Sequence, residues 1–349
     1  MEKRWNELKE GRKVRGSPDV LQLPSIKVGN ALVPRLILGH LPFVGESYQG
    51  AEKNKQYRER FSHPRNIVKI LTRAISDYGV TAIAAMPAVE NSPSAILQAA
   101  IRESVNVVGV DVALIPCFMI PLRIDGQPVN DYRRWMTYYD VERKMAGVDL
   151  LRRYVDDPVL QCREGWREKF PNALARLQPY SGKDLEKLEI DYGRLRRDLQ
   201  SLEGFRVLLA EPGSEADFLV MTGRLDLLED FVNALRDCLN CPIILATHHA
   251  GSVLPMLDAV EANVDGYLTP VNMMGVMMFP TQERAVKAIR GARRPVIAIK
   301  TMAGGRIRPK EAFEYVYRVQ KIGSCMVGVA SERELDEDFS IARRILAEG

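Results

Sequence analysis

Histidine is scarce in this chain, with four among 349 residues, and it is joined by only five cysteines and three tryptophans. The cysteines (Cys117, Cys162, Cys238, Cys241 and Cys325) are too few and too scattered for a disulfide framework. Cys238 and Cys241 form a lone C-x-x-C with no second pair and no thioredoxin-like strand beside it, so structural thiols are the expectation there. Long apolar runs are missing too. The longest, such as ILATHHAGSVL, are short and interrupted, which argues against a membrane-spanning segment or a membrane partner. Charge of one sign is not concentrated anywhere: net charge is +4 with 27% charged residues, interspersed, which gives no nucleic-acid footprint. The opening MEKRWNELKEGRKVRG is charged and has no apolar centre, so it does not read as a signal peptide, and a cytoplasmic protein is expected. The excess of Glu, Lys and Arg is of the kind that suits a thermophile.

What is present is material for a large core. Apolar residues make up 46% of the chain, and single barrels of this length are common, so one domain over 1–349 is expected. From about residue 35 onward, short β-branched or apolar runs alternate with amphipathic helical stretches, the sign of a parallel sheet with crossover helices. The strands read as RLILG (35–39), TAIAA (81–85), NVVGVDV (106–112), FRVLLAE (205–211), PIILAT (242–247), GYLTPV (266–271), PVIAIK (295–300) and SCMVGV (324–329). Eight such strands predict an α/β fold, a TIM (β/α)8 barrel. DFLVMT (217–222) resembles a ninth strand, but Pro212 and Gly213 end the run before it, so it is read as a helical turn. No internal repeat interrupts the alternation. The third connection is far too long for a simple βα link, and predicts a helical insertion over 113–190, laid across the C-terminal face of the barrel as a lid or a homodimer surface.

Several segments, taken in order, resemble aldo-keto reductases: RLILGHLPFVGESYQG, VENSPSAILQAAIRES, HHAGSVLPMLDAVEANVDGYLTPVNMM, PVIAIKTMAGGRI and SCMVGVASERELDEDF. The resemblance covers about two-thirds of the chain and misses the insertion. A branch of such barrels with a PF-x-G-x-S first loop, here Pro42 to Ser47, is the nearer likeness. The family reduces carbonyls with NADPH through an aspartate, a tyrosine, a lysine and a histidine. Those positions fall on Ala84, on Val89, near Asp111, and on Glu211 or Thr222, so none of the four is retained. The nicotinamide platform also differs, with Val271 and Leu268 for an aromatic and a glutamine, and Thr247-His248 for a Ser-Asn pair.

In this fold, function collects at the C-terminal strand ends. Those ends carry His40, Asp111, Glu211, His248, His249 and Lys300, with Glu46 and Tyr48 in the first loop and Asn272 after strand six. Three of the four histidines fall there. Two chemistries fit His40, Asp111, Glu211 and His248: ligands for a divalent metal (Zn, Mn or Fe), or metal-free general acids and bases. Lys300 could join them as an acid/base group or Schiff-base amine. The structural alternatives are an Asp111–Lys300 ion pair, one of His248 and His249 turned into the fold, Glu46 and Tyr48 closing their loop, and NMMGVMMF (272–279) as pliable packing. His248 is the one favoured for the pocket. Glu46, Tyr48 and Asn272 are candidate substrate contacts. Gly304, Gly305, Arg306, Gly328 and Ser331, in the loops after strands seven and eight, are candidate phosphate contacts, with Ser331 alternatively an N-cap completed by Glu334.

The leading expectation is an enzyme for a small anionic or phosphorylated metabolite, working by lyase, isomerase or hydrolase-type chemistry. Two others stand beside it: an NADP-dependent oxidoreductase whose proton donor is replaced by Tyr48 or His248, and a non-catalytic barrel that binds a metabolite.

Overall fold

The computed structural model describes residues 23–348, so the charged opening segment lies outside the described residues. Eight barrel strands follow one another: β1 Leu36–Gly39, β2 Ala82–Ala85, β3 Ala113–Phe118, β4 in two pieces (Arg206–Val207 and Glu211–Pro212), β5 Ile244–Ala246, β6 Gly266–Pro270, β7 Val296–Ile299 and β8 Ser324–Gly328. All neighbouring pairs are parallel. The ring closes where β8 pairs with β1, Gly328 opposite Gly39, and where Ala210 bridges to Ile243 between β4 and β5.

Strand alternation sorts the side chains into two layers. Ile37, Ala84, Ile115, Ile244, Leu268, Ile297 and Met326, one from each of seven strands, fill the barrel interior with Leu209, which lies between the two pieces of β4. Between sheet and helices lies the larger core, with Leu97, Ile101, Phe231 and Phe339 among its buried members. An N-terminal hairpin, Ser25–Val28 with Ala31–Pro34, closes the bottom, and its Val28 and Val33 join the interior cluster. Its turn needs Gly29 (φ +56°), where a Cβ would stand 2.9 Å from Asp265 Oδ1.

The third strand differs from expectation. Residues 106–108 end the helix Pro93–Val108, which Gly109 terminates in the left-handed conformation, and the strand is ALIPCF. The apolar run NVV belongs to a helix that packs on the sheet, and a buried helix face and a buried strand look alike over so few residues. DFLVMT does fall in a helix, Glu215–Met221.

The insertion therefore starts after Phe118 and not at 113. It contributes the helices Asp131–Glu142, Leu150–Val155, Trp166–Arg176 and Gly182–Glu186, plus a small antiparallel sheet of Leu122–Ile124, Gln127–Pro128 and Leu188–Ile190. The helix Tyr192–Gln200 then leads back to β4. An aromatic cluster gives the insertion its own core: Trp166 stacks on Phe170 at 4.6 Å, and Trp135 meets Tyr154 edge-on at 5.4 Å.

Two buried carboxylates fasten this arm to the barrel. Glu142 accepts from Ser252 Oγ (2.8 Å) and from the Tyr154 hydroxyl, and its Oε1 stands 2.9 Å from His249 Nδ1. Burial alone would lower the His249 pKa, but Glu142 and, behind it, Asp217 together outweigh it and the net shift is upward. Asp157 accepts from the Met277 N–H (2.8 Å) and from Arg153 Nη1 (3.1 Å), which ties the insertion to the methionine-rich loop after β6. No helix among the described residues is long and apolar enough to cross a membrane.

Candidate active site

Two connected cavities lie at the C-terminal strand ends, and both are bordered by Leu41, Glu46, Tyr48, Ser214, His248 and Lys300. One, about 510 Å³, lies against the insertion and is walled by Arg134, Trp135, Tyr138 and Arg163. The other, about 610 Å³, is a groove running from Leu268 and His40 past Gly304 and Gly305 to Arg308, Glu334 and Asp338.

Where they meet, Lys300 Nζ donates to the Tyr48 hydroxyl at 2.9 Å and stands 4.5 Å from the centre of its ring. Both residues have left-handed backbones, Tyr48 at φ 58° and Lys300 at φ 51°. Non-glycine residues rarely adopt this conformation unless their surroundings impose it, at a cost of about 1–3 kcal/mol each. For Tyr48 the constraints are visible. Glu46 Oε1 accepts its N–H (3.0 Å), Asn54 on the next helix anchors Ser47, and Arg306 Nη1 donates to its carbonyl (2.9 Å). Gly304 allows the approach, because a Cβ there would come within 2.9 Å of Tyr48 Cβ.

Burial first, and the Lys300 charge second, sets the protonation of the neighbouring histidines. His40 is buried after β1, its Nδ1 lacks a protein partner among the described residues, and burial with the Lys300 charge lowers its pKa to about 4. His248 is lowered well below 6.5 by burial and by the charges of Lys300, His249, Arg163 and Arg134. Both imidazoles are therefore neutral near pH 7. Glu211, buried at the end of β4, is raised to about 7, chiefly by burial, and Asp217 to about 6 for the same reason. His249, the neighbour of His248, is engaged by Glu142.

Several expected site residues do other work. Asp111 precedes β3 and so lies at the opposite rim, exposed and paired with Arg206 at 2.7 Å rather than with Lys300. Its displacement follows from the shifted third strand. Without it the proposed metal set is not assembled, and among the described residues no group of three or more His, Cys, Asp or Glu is placed to hold a metal ion. Asn272 is fully buried, and its amide is consumed by its own loop, exchanging hydrogen bonds with the Val276 backbone at 3.0 and 2.9 Å. Arg306 is committed to three carbonyls, those of Tyr48, Ala303 and Pro158, so it clamps loops together and is not a free phosphate fork. Ser331 caps the helix Glu332–Ala347 by accepting the Glu334 N–H at 3.1 Å, and it does not border the groove. Gly304, Gly305 and Gly328 do border it. Cys238 is exposed while Cys241 is buried and raised to about 11, chiefly by burial.

Sequence reasoning missed Arg134, Trp135, Tyr138, Arg163 and Asp217, which complete the cavity. The Arg- and aromatic-rich pattern DYRRWMTYYDVE was the available signal, since an insertion helix above the strand ends must turn one face into the pocket.

With 15% identity and a TM-score of 0.53, the chain matches a Pseudomonas aeruginosa protein classed with the aldo-keto reductases, over 94% of this chain and 98% of that one. The fold is that of the aldo-keto reductases. An aldo-keto reductase from Klebsiella pneumoniae, solved with NADPH, aligns over 94% of both chains at 11% identity with a TM-score of 0.49. No protein-family model matches the chain, and no curated protein is similar to it. Of the aldo-keto-reductase tetrad positions, Ala84 is sealed inside the barrel and Val89 is exposed away from both cavities. The lyase, isomerase or hydrolase expectation is thereby corrected. Its residue set is broken by Asp111, and the two solved structures just described are classed as aldo-keto reductases.

Proposed function

We propose that this barrel is a nicotinamide-dinucleotide-dependent oxidoreductase of carbonyl compounds, in which Tyr48 and Lys300 take over the work of the missing tetrad. The observation that carries this reading is the 2.9 Å contact between Lys300 Nζ and the Tyr48 hydroxyl at the junction of the two cavities. The groove has the volume and the mixed apolar and polar walls usual for a cofactor site of roughly 300–1,000 Å³. Leu268 and Thr247 would receive the nicotinamide end, and Thr301, Gly304, Gly305 and Arg308 the phosphates. NADP is the form that the aldo-keto-reductase resemblance implies, with Arg308 as the cation available to its extra phosphate. Glu334, Glu337 and Asp338 nearby favour hydroxyl groups, so NADPH and NADH are to be compared.

When bound, the dinucleotide supplies the hydride that reduces the carbonyl carbon. The Tyr48 hydroxyl gives its proton to the oxygen, so that C=O becomes CH–OH and a phenolate remains. The Lys300 ammonium, already donating to that oxygen, stabilises the phenolate until water returns the proton. Neutral His248 is a hydrogen-bonding group for the same oxygen without competing for the proton.

Fluorescence titration of NADPH and NADH tests binding, and consumption of the bound form against an aldehyde panel tests turnover. Tyr48→Phe should lower kcat by about 10²–10⁴-fold while leaving the dinucleotide Kd within about twofold. Failure of both dinucleotides to bind at millimolar concentration would sink the reading.

A further inference from the structure

Ten buried side-chain nitrogen or oxygen atoms among the described residues lack a protein hydrogen-bond partner. Six belong to residues that border the cavity against the insertion: Arg134, Trp135, Tyr138, Asp217, His248 and His249. Buried polar groups are nearly always satisfied, so unsatisfied ones gathered around one space describe what that space is shaped to hold. Trp135 Nε1 can only donate, and the Tyr138 hydroxyl and Arg134 Nε can donate as well. Trp135 and Tyr138 are almost fully buried, at 4% and 3% exposure, so bulk water does not satisfy them from outside.

Charge of both signs borders the space, Arg134, Arg163 and Lys300 against Glu46 and Asp217. Arg163 stands 5.2 Å from the Trp135 ring, and among the described residues its guanidinium has a single carboxylate partner, Asp131 at 2.7 Å. Arg134 is paired with Asp131 and Glu215, Asp217 accepts from the His248 N–H at 3.1 Å, and Glu46 is held in the first loop. The charges that bear most on His248 are nonetheless all positive: Lys300, His249, Arg163 and Arg134. Apolar walls from Met119, Val159, Leu160 and Met277 complete the cavity.

We infer that this cavity binds a carboxylate, with Trp135 Nε1, the Tyr138 hydroxyl and Arg163 as its donors, so that the carbonyl substrate is an oxo acid with a short apolar chain. The oxo-acid part rests on the reductase reading, whereas carboxylate binding does not. A planar guanidinium with two neutral donors suits a carboxylate, whose oxygens together offer about four lone-pair sites. The insertion is then the element that selects the substrate, while the strand ends carry Tyr48 and Lys300.

The test is calorimetry on the full chain with no dinucleotide added, using 4-methyl-2-oxopentanoate against 4-methyl-2-pentanone, which has the same carbon skeleton without the acid. The acid should bind at least tenfold more tightly, and Arg163→Gln and Tyr138→Phe should each erase most of that margin. Ketone binding should be unchanged in both variants. Tyr138→Phe removes only an oxygen, and thermal melting of each variant shows that the fold persists. Equal affinity for acid and ketone, or full retention of the margin in both variants, overturns the inference. If the acid binds as described but no dinucleotide does, the carboxylate site stands and the reductase reading falls.

Discussion

Asp338 is a carboxyl group that the fold would rather keep protonated. It is 6% exposed on the helix Glu332–Ala347, and no side-chain donor or cation contacts it among the described residues. Burial, followed by the charges of Glu334 and Glu337, raises its pKa from 3.8 to about 7. A raised carboxyl pKa means that the folded state holds its proton longer than the unfolded chain does. Stability is then greatest below about pH 4, falls as the pH climbs towards 7, and is level above that. At about 1.4 kcal/mol per pH unit, the whole interval corresponds to roughly 4 kcal/mol, of which about 2–3 kcal/mol falls between about pH 5 and about pH 8.5. Asp338→Asn removes the titration without changing the shape. Urea unfolding followed by circular dichroism, at both pH values and on both proteins, isolates the effect even though Glu211 and Asp217 slope the same way. The variant should lose about 2–3 kcal/mol less than the wild type over this interval. Parallel losses in the two proteins would refute the assignment of a protonated, unpaired acid at this position.

Glu142→Gln leaves His249 buried beside an amide instead of a carboxylate and should destabilise the protein by on the order of 3–5 kcal/mol, with the insertion becoming the first protease-sensitive segment; limited proteolysis and urea midpoints measure both. Gly328→Ala sets a Cβ within 2.6 Å of Pro42 Cδ, a ring that cannot rotate away. A stability loss of about 1–3 kcal/mol is expected there, and an unchanged melting temperature would contradict the close approach of β8 to the first loop.

The barrel was legible because its strands are short apolar runs between strong helix signals, and seven of the eight lie where alternation put them. The third failed for a local reason: NVVG looks like a strand, yet it is the buried end of a long helix stopped by Gly109. That single shift moved Asp111 from a presumed strand end to the opposite rim. The sequence could name Tyr48 and Lys300 as strand-end or loop residues, but not that they touch. Their contact requires Gly304 to vacate space, Arg306 to hold the Tyr48 carbonyl, and left-handed backbones at both residues. The cavity walls from the insertion were out of reach for a different cause. The hydrophobic pattern of Asp131–Glu142 says that the helix is amphipathic, and says nothing of which side faces the barrel mouth.

The Arg306 guanidinium grips the Tyr48 loop and the insertion through main-chain oxygens, at Tyr48 and at Pro158, with the Cys162 thiol beside it. Those two hydrogen bonds are blind to the side chains of the residues that accept them. The pocket-facing side chains of the arm, other than Cys162, can therefore be exchanged, by drift or by an engineer, while Tyr48 keeps its seat. Only a change in the path of the chain at residue 158 would disturb it.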